Sequence, residues 1–159
     1  MQRNPVTPAG YEALVRDLGY QKEVLRPSII IDIEEARAHG DISENSEFED
    51  AKERQAHCAG RIRELEHLVA TAEVIDVAKL PRDGKVRFGT TVSVANSATG
   101  DERVYTIVGA SEADISAGRI SYLAPLAQAL MGRTEGDEVE VPTPGGRVRW
   151  EILAVRYGT

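Results

Sequence analysis

The sequence predicts an α+β protein: an N-terminal antiparallel α-helical coiled-coil hairpin, then a C-terminal antiparallel sheet with a short helix. Three observations carry this reading. Apolar residues recur at helical spacing from Tyr11 to Ala72. From Val74 the period changes to strand-like alternation. The charge changes at the same place: residues 1–78 hold 16 acids against 9 bases, and residues 79–159 hold 10 of each. The expected division is 1–76, a coiled-coil domain with an acidic tip, and 77–159, a sheet domain.

Thr7-Pro8 marks the first helix start. A threonine oxygen caps free amides, and proline at the first helical position forfeits no bond. Tyr11, Leu14, Leu18, Leu25, Ile29, Ile33 and Ala36 then form an apolar seam, interrupted by polar Gln21. Pro27 lies inside this pattern. It has no N–H to donate, so a kink or local irregularity is expected there rather than a stop. Gly40 suits a left-handed helix end.

A second helix is expected from Ser43 or Glu44. Its seam is Phe48, Ala51, Gln55, Cys58, Ile62, Leu65, Val69 and Ala72, with alternating steps of three and four as in a coiled coil. The connection is a few residues long, which makes the helices antiparallel neighbours. Cys58 falls on the seam and reads as a small buried hydrophobe. Ile29-Ile30-Ile31 is wider than one seam needs. It is either a packing face or an exposed one.

In the second half, Thr91–Val94, Val104–Val108 and Arg119–Leu123 read as strands. Asn96–Asp101 is a turn cluster. Pro125 opens a short helix that Gly132 stops. Val139–Val141 and Val148–Ile152 form a hairpin around Pro144-Gly145-Gly146. Tyr105, Tyr122 and Trp150 lie in strand-like segments and read as core.

The composition narrows the function. A net charge of −7 disfavours an autonomous nucleic-acid binder. One cysteine builds no intrachain disulfide and suits a reducing compartment. His39, His57 and His67 have no metal-ligand spacing. No apolar run approaches the roughly 20 residues that span a bilayer, and no signal-peptide core opens the chain. A cytoplasmic protein without a membrane partner is expected. The glycines match no phosphate loop, and no serine, histidine and acid spacing suggests a nucleophile.

What remains is the segment Gly40-Asp41-Ile42-Ser43-Glu44-Asn45-Ser46-Glu47-Phe48, which places carboxylates at the joint of the hairpin. Acids there can hold a hard cation or meet a basic surface. They also have a plain structural use, since acids in a first helical turn stabilise the macrodipole by roughly 0.3–1 kcal/mol each.

Several segments in order resemble the bacterial transcript cleavage factors of the GreA/GreB family. They are Arg37–Asn45, Val74–Val77, Val86-Arg87-Phe88-Gly89, Ile107-Val108-Gly109 and Thr143-Pro144-Gly145-Gly146. The resemblance covers nearly the whole chain. It implies an FKBP-like fold for residues 77–159 and a monomeric accessory factor rather than an enzyme in its own right. The coiled coil would enter the secondary channel of RNA polymerase while the sheet domain docks at the channel rim. Asp41 and Glu44 match the family's functional acids. They would share a Mg²⁺ with the polymerase and promote hydrolysis of the nascent RNA 3′ end. Arg37 and Lys52 match positions that hold the RNA 3′ segment. Glu47, Glu49 and Asp50 read as solvated-face acids. Phe48 stands where tyrosine is frequent, and Glu49 and Asp50 where uncharged residues or histidine are usual. Those departures put added negative charge near an RNA path.

Two other readings stay open on sequence. One is a Gre-like paralogue that occupies the same channel and inhibits. The other is a peptidyl-prolyl isomerase or chaperone, which needs an aromatic-lined groove.

Overall fold

A computed structural model describes residues 3–38 and 46–158. They divide into two compact units. Tyr11–Ala72 form one; Arg3–Gly10 and the chain from Glu73 onward form the other. The sheet unit is therefore discontinuous in sequence.

The helical unit contains α1 (Pro8–Tyr20, whose first turn belongs to the sheet unit), a π turn (Gln21–Leu25), α2 (Arg26–Ala38) and α3 (Ser46–Thr71). Thr7 caps α1: its Oγ1 accepts the Gly10 N–H at 3.0 Å. The irregularity expected near Pro27 takes the form of the π turn, in which the Arg26 N–H reaches back five residues to the Gln21 carbonyl. The widened turn ends two residues before the Pro27 ring that cannot donate, which eases the clash with the preceding turn. Gln21 O also accepts the Cys58 thiol across the hairpin at 3.7 Å.

Ile29, Ile33, Ala51, Cys58 and Ile62 form the hairpin core, with Leu18, Leu25 and Phe48 packed on it. Cys58 is buried, as its seam position requires. Ile30 and Ile31 are 42% and 54% exposed, so only Ile29 of that triplet serves the core. Gly40 and the expected start of the second helix at Ser43 or Glu44 lie outside the described residues.

The sheet unit has two sheets. β1 (Asn4–Val6) pairs with β2 (Ala72–Val74), and the Ile75 N–H continues the contact to the Val6 carbonyl at 2.9 Å. The larger sheet is built from β3 (Thr91–Asn96), β4 (Glu102–Val108), β5 (Arg119–Ser121), β6 (Glu138–Thr143) and β7 (Gly146–Arg156), in the order β5-β4-β3-β7-β6. Its pairs are antiparallel except β4 and β5, which run parallel. Two single 3₁₀ turns, Ala110–Glu112 and Ile115–Ala117, carry the chain between them. Gly118 ends this link at φ 76°, and a Cβ there would lie 2.9 Å from the Val104 carbonyl.

Between β3 and β7 the register passes from Ser93–Ala154 to Val94–Ile152, so Leu153 is the extra residue of a bulge. The core comprises Val86, Phe88, Val92, Val94, Ile107, Ile120, Val139, Val141 and Ile152, covered by Ala127 and Leu130 of α4 (Pro125–Leu130). Tyr105, Tyr122 and Trp150 pack against it. Phe88 and Tyr122 meet edge to face, with centroids 6.0 Å apart. The aromatic residues thus serve packing, as their strand positions predict.

No helix among the described residues is long and apolar enough to cross a membrane.

Candidate functional site

The candidate site is approached along α2 and α3. Arg37 lies in the last turn of α2 and Lys52 in the second turn of α3, both exposed. Asp41 and Glu44, the acids expected to act, lie outside the described residues. Among the described residues, no group of three or more His, Cys, Asp or Glu is arranged to hold a metal ion.

Exposed ion pairs cross between the helices of the hairpin. Arg54 is the central group. Its guanidinium reaches Asp32 on α2 at 3.1 Å and Asp50, one turn back on α3, at 3.4 Å. Arg54 is not among the residues the sequence singles out, although its i,i+4 spacing from Asp50 is a local signal. The pairing changes the status of Asp50, whose charge is already partly balanced. Glu49 is exposed and has no ion-pair partner among the described residues. Phe48 is half-buried on the hairpin core, which explains an aromatic ring at this position.

Farther from the joint, Arg61 bonds Asp17 at 2.8 Å and Glu64 at 3.3 Å. The Asp17 carboxylate, and to a lesser degree Glu64, raise the Arg61 pKa. Lys22 and Glu66 stand 3.6 Å apart. These pairs are solvent-accessible, so each contributes about 0–1 kcal/mol. Their larger effect is to set which faces of the helices meet.

Lys52 also borders a groove of about 440 Å³ lined by Arg26, Ile29, Ile30, Gln55 and Ala56, with Cys58 and Ala59.

In the sheet unit the strongest electrostatic perturbation is at Asp83. The Arg87 guanidinium, then the Lys85 amide and the Tyr157 hydroxyl, hold its carboxyl down to about 2. Tyr157 also donates to the Lys85 carbonyl, tying the C-terminal segment to the start of the unit. Glu112 is a second hub. It accepts the Thr7 N–H at 3.0 Å, the Gly109 N–H at 2.9 Å and the Thr7 hydroxyl. Sequence reading found neither hub. Asp83 and Arg87 show the i,i+4 spacing of a helix but sit in a loop, and Glu112 is 105 residues from Thr7.

The fold and the charged hairpin define a mixed α+β protein with a long helical hairpin and a curled sheet. A family model for the N-terminal part of transcription elongation factors matches residues 4–74, and one for the C-terminal part of GreA/GreB elongation factors matches residues 81–157. Transcription elongation factor GreA of Brucella canis is 50% identical over 157 residues, 99% of both chains, and that of Brucella abortus strain S19 matches equally. Solved structures of GreA factor homolog 1 of Thermus thermophilus and of a prokaryotic GreA/GreB elongation factor from Nitrosomonas europaea align over nearly their whole lengths. The first covers 98% of this chain and 99% of its own, at 25% identity and TM-score 0.44. The second covers 99% and 100%, at 26% and 0.43. The chain belongs to the GreA/GreB family of transcription elongation factors.

Proposed function

We propose that this chain rescues backtracked bacterial RNA polymerase by promoting cleavage of the extruded RNA 3′ end. The observation that supports this most is the identity of half the residues with GreA along the full chain, together with Asp41 and Glu44 at the hairpin joint. The helical hairpin enters the secondary channel, and the FKBP-like unit docks at its rim. The protein works as a monomer in the cytoplasm and leaves the hydrolytic centre to the polymerase.

Asp41 and Glu44 are the ligands it contributes. Mg²⁺ keeps several waters and needs only one or two carboxylates from any one partner, so two acids suffice when the polymerase supplies the rest. When bound, the shared ion stabilises charge on the attacking and leaving oxygens. Arg37 and Lys52 hold phosphates of the RNA 3′ segment by charge, which makes their contribution salt-dependent.

The test is addition of the protein with Mg²⁺ to a stalled, backtracked polymerase. Release of 3′ fragments and resumed synthesis is the expected result. Occupation of the polymerase with suppressed synthesis and no fragments would assign the inhibitory role instead.

A further inference from the structure

The π turn has a sequence counterpart on the seam. Along α3 the seam runs Phe48, Ala51, Gln55, Cys58, Ile62, Leu65, Val69 and, just past the helix end, Ala72, alternating three and four without a break. In the facing strand of the hairpin it runs Tyr11, Leu14, Leu18, Gln21, Leu25, and the alternation then requires Ser28. The apolar residue is Ile29, after which Ile33 and Ala36 continue in steps of four and three. One residue is therefore in excess, and it enters between Gln21 and Ile29. A heptad seam keeps facing its partner only at about 3.5 residues per turn, so an extra residue left in an α-helix turns everything beyond it by roughly 100°. A π turn absorbs one residue, since its hydrogen bond spans five residues instead of four. It occurs at Gln21–Leu25, and beyond it Ile29, Ile33 and Ala36 are all buried.

We infer that Gln21–Leu25 is a register device: the π turn takes up a surplus residue and sets the rotational phase of α2 against α3. Pro27 is its lock and acts as a positioning residue. Return to α geometry would drive the Pro27 ring against the carbonyl four residues earlier. The Cys58 thiol holds the Gln21 carbonyl from the opposite helix. The ion pairs agree, because Arg61–Asp17 on the near side of the turn and Arg54–Asp32 on the far side both cross the hairpin. The functional consequence rests on the proposed function: the phase of α2 fixes the direction in which Arg37 is presented.

The test compares single-residue deletions in the full chain by helix melting. Deleting exposed Val24 alone forces Pro27 into a continuous α-helix, and Tm falls by about 10 °C or more. Combining the deletion with Pro27→Ala removes both the surplus and the lock, and Tm returns to within a few degrees of wild type, about 5 °C at most. Deleting exposed Ala59 from the unbroken seam of α3 lowers Tm, and Pro27→Ala does not restore it. A combined Val24 deletion and Pro27→Ala variant as unstable as the Ala59 deletion would overturn the inference. On stalled polymerase the combined variant retains fragment release within about threefold, corresponding to less than ~0.7 kcal/mol. Loss of release by that variant, with wild type active and both folded, would overturn the phase-setting role. Absence of release by wild type would overturn the proposed function, and the melting comparison would still decide the register device.

Discussion

Gly10→Ala and Gly19→Ala are the same change in the same helix, and the structure gives them opposite signs. Both glycines lie in α1, where alanine is favoured by about 1 kcal/mol through backbone entropy and propensity. At Gly19 a new Cβ meets nothing within 4 Å, so that gain survives. At Gly10 the Cβ would stand 2.2 Å from the Glu112 carboxyl carbon. A flexible side chain can yield, but this one receives Thr7 N–H, Thr7 O–H and Gly109 N–H. Hydrogen bonds to a charged group contribute ~1.5–3 kcal/mol each, and about 1 when half-exposed, so displacing the carboxylate costs about 3 kcal/mol. The helix gain offsets about 1, leaving a net loss of about 2 kcal/mol. For a unit of this size that lowers Tm by roughly 8–16 °C. Urea melts of the three proteins measure this directly, with midpoint changes at constant slope reporting stability. A Gly10→Ala protein as stable as Gly19→Ala would show that Glu112 does not hold this segment.

Three further outcomes follow from the site and its surroundings. Asp41→Asn or Glu44→Gln removes most stimulated RNA cleavage, with little change in competition for polymerase; near-normal cleavage by both would refute their metal-holding role. Glu49→Ala speeds cleavage more than Asp50→Ala, by about twofold at low salt for one exposed charge, because Asp50 is already paired with Arg54; equal effects in a salt series would show that this pairing does not matter. Asp83 has a depressed folded pKa of about 2 against about 3.9 unfolded, so its stabilisation is complete above pH 4 and is lost as pH falls towards 2. The stability gap between wild type and Asp83→Asn should therefore hold from neutral pH to about 4 and close near 2, and a gap that widens on acidification would contradict the assignment.

The parts of the fold legible in the sequence are those written in local periods. The two seams, the Thr7-Pro8 start, Cys58 as core and the strands on either side of Pro144–Gly146 all depend on neighbours a few residues away. Pro27 announced an irregularity, but its form depended on the seam of the facing helix. Pairings between distant segments left no local trace. β1 with β2, Glu112 with Thr7, and the parallel course of β5 beside β4 are of this kind. At the site, the helical periods place Arg37 on α2 and Lys52 on α3, while the pairing of Asp32 with Arg54 depends on how the helices face each other. The assignment of Asp41 and Glu44 rests on the motif that contains them.

Because Arg3–Gly10 belongs with the sheet unit, the helical segment Tyr11–Ala72 interrupts that unit in sequence. During synthesis the first strand emerges long before Gly109 and Glu112 exist to receive it. An open loop between Val6 and Ile75 would carry a substantial closure entropy, growing with the logarithm of its length. The hairpin shortens that search, since its helices form locally and bring the two ends of the loop together as they pair. Connectivity predicts that the hairpin forms first and that the N-terminal strand is completed only when the last third of the chain is available. Slowing hairpin formation, for example by weakening its seam, should delay closure of a sheet whose own residues are untouched.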